Sequence, residues 1–133
     1  MKALVGLISV GILILLSQHV HAERTTPAKQ IETFIRLSGV QPRIESGQEF
    51  FTTTHGREWS CSDCHTPDPT ALGKHVKTGK AIQPLAPAAN PERFIDATKA
   101  ENWFRRDCSA VIGRECTPEE KADVLSWLLS LKK

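Results

Sequence analysis

Apolar positions along this chain recur mostly at helical spacing, and proline and glycine mark the breaks between them. Ile31, Phe34 and Ile35 share one face of a helix that opens at Thr26-Pro27 and stops at Gly39. The threonine serves as cap, the proline sits in the first turn, and the glycine ends the run. A second helix is predicted from Pro42 to about Thr54, carrying Ile44, Gly47, Phe50 and Phe51. Gly47 weakens that helix by about 1 kcal/mol, so its use is read as a point where another helix comes close. Asn90-Pro91-Glu92 reads as the cap and first turn of a short helix containing Phe94 and Ile95. Thr98-Lys99-Ala100-Glu101 matches a capping box ahead of Trp103, Phe104 and Cys108, and Thr117-Pro118-Glu119-Glu120 matches another. The last helix that follows carries an apolar stripe of Val124, Leu125, Leu128 and Leu131, with Trp127 beside it. That stripe is ordinary core, and this helix is the expected partner across Gly47. Residues 54–60 form a polar loop with His55 and Trp59, and residues 66–90, rich in Pro, Gly and Lys, read as irregular structure. The pattern is all-α.

The first residues follow a different rule. Met1-Lys2 is a short positive start, Ala3 to Leu16 is an uncharged apolar run, and Val20-His21-Ala22 offers a cleavage site. Residues 1–22 therefore read as a secretory signal peptide, too short and wrongly flanked for a membrane span. Residues 23–133 remain as one small domain without internal repeat or linker. The formal charge of +2 falls by one with Lys2, and no basic stripe is interleaved with aromatics, which argues against a nucleic-acid partner. Export places the domain in the periplasm, leaves no stable membrane span after cleavage, and permits a disulfide.

The chemistry gathers at Cys61-Ser62-Asp63-Cys64-His65, the C-x-x-C-H pattern of c-type haem attachment. Two thiols at this spacing can each form a thioether to one vinyl group of the same porphyrin. The next residue is then held under the iron, where His65 supplies a proximal nitrogen. A thioredoxin-like site would want a strand before the motif, and no strand pattern precedes Cys61. A zinc site needs four ligands, whereas Cys108 and Cys116, eight residues apart around Gly113, most simply pair with each other in an exported chain. The expectation is one covalent haem c and one disulfide.

Methionine limits what such a haem can do. The single methionine is Met1, which leaves with the signal peptide, so the mature protein is not a His/Met cytochrome. The residues open as distal ligand are His55, His75, Asn90, Asn102, Asp107 or a lysine, and an empty position is the remaining alternative. Ligation by His65 and His75 would give a six-coordinate electron carrier closed to gases. A weak oxygen ligand, or none, would leave iron able to bind small diatomic ligands. An oxygen or nitric oxide reductase would further need proton-delivery groups that the sequence does not identify, so an enzymatic role is left open.

Two longer runs resemble a known family. They are Thr78-Gly79-Lys80-x-Ile82-x-Pro84-Leu85-Ala86-Pro87 with Pro91-x-Arg93-Phe94, and the run from Cys108 to Pro118 followed by Glu120-Lys121-Ala122-Asp123. They resemble the sphaeroides haem protein family of c-type cytochromes over nearly the whole mature chain. The resemblance implies a small all-α monohaem cytochrome c fold with high-spin iron, a disulfide between Cys108 and Cys116, and His65 as proximal ligand. In that family an asparagine directly before the first disulfide cysteine is the distal ligand. It detaches on reduction and leaves ferrous iron open to oxygen and nitric oxide. Members are thought to work with a dihaem cytochrome c and a membrane cytochrome b. Here the position holds Asp107, which could bind through a carboxylate oxygen, pair with Arg105 or Arg106, or leave the iron open.

Overall fold

Thr26 opens the first helix as the sequence predicts. Its Oγ1 accepts the Lys29 N–H at 3.2 Å, Pro27 occupies the first turn, and Gly39 at φ 73° ends α1 (Pro27–Ser38). The computed structural model describes residues 24–133, so the expected signal peptide at residues 1–22 lies outside the described residues. Beyond α1 these residues form α2 (Ile44–Thr52), α3 (Cys61–His65), the antiparallel pair β1 (Gly73–Lys74) and β2 (Ala81–Ile82), α4 (Ala97–Val111) and α5 (Pro118–Ser130). Most of residues 66–90 is irregular, as expected, with Gly73 opposite Ile82 and Lys74 opposite Ala81 in the hairpin.

α5 is the centre of the packing. Thr117 Oγ1 accepts the Glu120 N–H at 3.2 Å while the Glu120 carboxylate accepts the Thr117 N–H at 2.8 Å, the reciprocal cap the sequence predicts. Ala122, Val124, Leu125, Trp127 and Leu128 are all buried, and α5 lies against both α1 and α2. Each large side chain so buried contributes about 1.5–3 kcal/mol. The Trp127 ring meets Phe51 of α2 with centroids 5.0 Å apart. Gly47 is where the backbones touch. A Cβ built there would stand 2.1 Å from the Asp123 carbonyl oxygen and 2.9 Å from the Val124 nitrogen.

Three boundaries differ from the expectation, one for a local reason and two through contacts with distant residues. α2 begins at Ile44 rather than Pro42 and ends at Thr52. Arg43 is its N-terminal flanking residue, and the Arg43 N–H is satisfied by the buried Asp123 carboxylate of α5 at 2.7 Å. A tertiary contact thus sets a start that local propensity had placed two residues earlier. α4 begins at Ala97, because Asp96 accepts the Lys99 N–H at 2.9 Å, so Thr98 is inside the helix and forms no capping box. Glu101 instead reaches across to Lys121 of α5. The segment after Asn90 is a turn and not a helix, and Phe94 has a left-handed φ of 60°. Phe94 is buried against Trp103 and Phe104, and its carbonyl accepts from Gln30 of α1. Side-chain burial and a long-range hydrogen bond hold a conformation that a helix would deny.

Cys108 and Cys116 form a disulfide with their Cα atoms 5.6 Å apart. It ties the last turn of α4 to the residue just before the Thr117 cap, and closing so short a loop is worth about 2.5 kcal/mol in the chain-entropy account. Lys121 is buried, paired with Glu101, and lies 5.6 Å from the Phe34 ring and 5.9 Å from that of Phe104. These contacts hold α4 to the α1–α5 layer at one edge and leave a cavity beneath its other face.

Candidate functional site

The attachment motif is one short helical turn. Ser60 precedes it, and the Asp63 carboxylate accepts both the Ser60 N–H at 2.6 Å and the Ser60 hydroxyl at 2.8 Å. That link fixes the entry of α3. The exit is equally constrained, because Thr66 directly after His65 has φ 64° and turns the chain away. Gly73 of β1 packs on the carbonyl of Cys64, where an added Cβ would stand 2.3 Å from the oxygen. Cys61, Cys64 and His65 are therefore presented from a rigid turn between two backbone contacts.

All three residues border one cavity of about 690 Å³. Phe50, Phe51, Val124 and Leu128 line it from α2 and α5, Ile82 and Leu85 from the irregular segment, and Trp103, Phe104 and Val111 from α4. A largely apolar hollow of this size with a few converging polar groups is the usual form of a small-molecule or cofactor site. Cys61 and Cys64 are free thiols, whereas Cys108 and Cys116 are paired. The indole N–H of Trp59, also on the wall, is buried without an acceptor from the protein, and a polar substituent of a bound group would satisfy it. Among the described residues no cluster of three or more His, Cys, Asp or Glu side chains is placed to hold a metal ion. The residues present fit a covalently attached haem.

The electrostatics agree with that use. Burial, the largest cause, lowers the basicity of the His65 imidazole. The Asp107 carboxylate opposes the shift, and the Arg93 and Arg106 guanidinium groups add to it. The imidazole is then neutral at neutral pH, as a ligand nitrogen must be. Burial, reinforced by Asp107, pushes the Cys61 thiol up to about 12. A thiol held neutral in this hollow suits conversion to a thioether, which would have no proton to lose.

Of the distal candidates, the structure brings Asp107, His75 and Lys77 to the cavity wall. His55 is not on it, and its Nε2–H donates to the Phe50 carbonyl at 2.7 Å. Asn90 donates to the Pro84 carbonyl at 3.2 Å and Asn102 accepts from Arg105 at 2.8 Å, each away from the cavity. His75 Nδ1 accepts the backbone N–H groups of Lys77 at 3.3 Å and Thr78 at 3.2 Å, which places its proton on Nε2. To bind iron through Nε2 it would have to move that proton to Nδ1, facing two donors. Asp107, one residue before the disulfide, is held by Arg106, with Nε–Oδ1 at 2.6 Å and Nη2–Oδ2 at 3.1 Å.

The sequence alone gives no role at this site to four residues that shape it. Arg93 donates to the Pro84 and Gln83 carbonyls at 2.9 and 2.8 Å, with its guanidinium 5.3 Å from the Trp103 ring, and so pins the irregular segment at the cavity. Gly73 and the Ser60–Asp63 link are the others. Only the last left a local signal, a serine three residues ahead of an acid at the start of a turn.

Comparison with known proteins converges on one group. A family described as "Domain of unknown function (DUF1924)" matches residues 38–128. The cytochrome c-type protein SHP of Cereibacter sphaeroides is 45% identical over 108 residues, covering 78% of this chain and 83% of that protein. Cytochrome c'' of Methylophilus methylotrophus is 35% identical over 130 residues, 90% of each chain. The structure of oxidised SHP, described as an oxygen binding cytochrome c, superposes with a TM-score of 0.77 at 42% identity, covering 82% of this chain and 100% of that one. Oxidised cytochrome c'' gives 0.71 at 37% identity, over 80% and 95% of the two chains. An all-α chain with a disulfide and a C-x-x-C-H turn on an apolar cavity is what such a cytochrome requires, and this protein belongs to the SHP family of monohaem c-type cytochromes, carrying one covalent haem c.

Proposed function

We propose that the protein is a periplasmic cytochrome, exported by residues 1–22, whose haem is held by thioethers to Cys61 and Cys64 with His65 as proximal ligand. Asp107 is its distal ligand in the oxidised state, through a carboxylate oxygen, and the bond is labile. On reduction the position opens to small diatomic ligands, oxygen and nitric oxide, and the protein exchanges single electrons with a redox partner. A dihaem cytochrome c and a membrane cytochrome b are the partners that the family suggests. The observation that carries this reading is that Asp107 lines the same cavity as the Cys61–His65 turn. The oxygen binding stated for SHP supports it, as does the haem-ligand detachment named for cytochrome c''.

The haem supplies the redox change. The chain supplies a neutral imidazole from a rigid turn, an apolar wall that keeps bulk water away, and one movable anion. A carboxylate oxygen is a hard donor that suits ferric better than ferrous iron, and this is what makes the site open on reduction. The test is the visible spectrum of the ferric holoprotein, wild type and Asp107→Ala. A high-spin charge-transfer band, altered in the variant with faster azide or cyanide binding, is the expected result. A low-spin spectrum unchanged in Asp107→Ala but lost in His75→Ala would assign the distal position to His75, and the gas-binding role would go with it.

A further inference from the structure

Asp107 can change partner without moving its backbone. It lies in α4 one residue before Cys108, and the disulfide to Cys116 anchors that turn. Side-chain rotation is then the only freedom it has, and the fork to Arg106 marks one end of that rotation. Of the other cations, Lys77 also lines the cavity but forms no ion pair with Asp107 in the structure. Arg93 is taken by two backbone carbonyls, and Arg105 is turned to Asn102. Resting on the proposal that Asp107 is the distal ligand, we infer that Arg106 is the positioning residue that receives the Asp107 carboxylate when it leaves the iron, and so sets how open the distal position is.

Charge arithmetic gives the direction. Ferric iron in a dianionic porphyrin has a net charge of about +1, ferrous iron has none, and a guanidinium keeps its full charge in both states. When one electron from a one-electron donor turns iron(III) into iron(II), one of two competing positive centres disappears and the other remains. The carboxylate crosses to Arg106 as an anion, so no proton is needed to balance the step. The Arg106 side chain is 69% exposed and that of Asp107 46%. Such an exposed pair is weak enough to open again when the iron is reoxidised.

The experiment uses the ferric holoprotein and cyanide as probe, with association followed by stopped-flow absorbance in Arg106→Gln, Arg106→Lys and Asp107→Ala. Arg106→Gln leaves the carboxylate no competitor to the iron. Cyanide association should slow roughly fivefold, the equilibrium shift an exposed ion pair supports, and the reduction potential should fall. Arg106→Lys should recover most of the rate, and Asp107→Ala should exceed wild type. Raising the salt should slow wild type toward the Arg106→Gln rate and leave that variant unchanged. If Asp107→Ala speeds binding while Arg106→Gln binds cyanide as wild type does, Asp107 is a ligand but Arg106 is not its alternative partner, and the inference fails. It fails equally if lysine restores nothing. If Asp107→Ala itself changes neither spectrum nor rate, the underlying assignment of the distal ligand fails instead.

Discussion

At Glu120 one carboxylate serves three donors. It accepts from Arg114 Nη1 at 2.8 Å and Nη2 at 2.6 Å, and from the Thr117 N–H at 2.8 Å. Burial alone would raise its pKa, but the Arg114 bonds, with those of Thr117, outweigh it and hold the group below its usual value. A depressed folded pKa means stability that is complete above the unfolded value, about 4.3, and lost as pH falls through the folded one. Glu120→Gln keeps an acceptor for the Thr117 N–H but loses the charge that pairs Arg114. It should therefore lower stability by about 1 kcal/mol near pH 7, the upper range of an exposed ion pair. The gap from wild type should shrink on acidification below about pH 4. Thermal melts of both holoproteins from pH 7 to pH 3 measure this, and a gap that stays constant with pH would refute the assignment. The Thr117–Glu120 half of this cluster is legible in the sequence, because both partners lie within one turn. Arg114 is not, since nothing in the spacing of a loop arginine says which way it folds. The same limit applies at the haem site. Cys61, Cys64 and His65 announce themselves by spacing, while the Arg106–Asp107 fork, one of several pairings the sequence allows, needs coordinates to be chosen.

Helices whose ends are capped locally, α1 and α5, begin where the sequence places them. α2, whose start is set by a distant residue, does not, and α4 starts from a different local cap, Asp96, than the Thr98 that the sequence suggests. α2 waits for Asp123 of α5, eighty residues away, to satisfy Arg43. At Phe94, a pattern that reads as a helical turn is overridden by burial among Phe104, Trp103 and the Gln30 amide. Gly47 sits between these cases. Its position ahead of Phe50 and Phe51 suggests a close approach, and the structure supplies the partner, the Asp123–Val124 backbone. Gly47→Ala tests the contact. Helix propensity favours alanine by about 1 kcal/mol, so if the site were open the variant would be more stable. Instead the new methyl group meets backbone atoms, which cannot swing aside as a side chain can. The two helices must separate, at a cost of roughly 1–3 kcal/mol net, or about 4 °C or more in Tm for a domain of this size. A variant as stable as wild type would show that α2 and α5 are not packed backbone to backbone at this point.

Across the whole molecule, α4 faces the α2, α3 and α5 side over the haem cavity, and little but the edges joins them. The Phe34–Phe104 contact, with centroids 5.9 Å apart, and the Lys121–Glu101 pair hold one edge. The Cys108–Cys116 bridge holds the other, next to Asp107. Removing the bridge should therefore act unequally. α1, α4 and α5 have their own side-chain caps and neither cysteine belongs to the apolar core cluster, so helix content should survive. Global stability should drop by about 2.5 kcal/mol, the loop-closure term for so short a loop. Position 107, by contrast, loses the anchor that holds its turn of α4 beside the cavity. In a holoprotein carrying Cys108→Ala and Cys116→Ala, far-ultraviolet circular dichroism at about 25 °C, well below the expected melting range, should match wild type. The ferric visible spectrum should differ, with cyanide binding faster and closer to that of Asp107→Ala. Equal loss of helix signal and haem spectrum would mean that the bridge holds the fold and not the site. An unchanged spectrum with lowered Tm would mean that α4 keeps Asp107 in place without it. The expected separation of the two signals follows from geometry alone, since the bridge lies one residue from the proposed ligand and at the periphery of the α1–α2–α5 core.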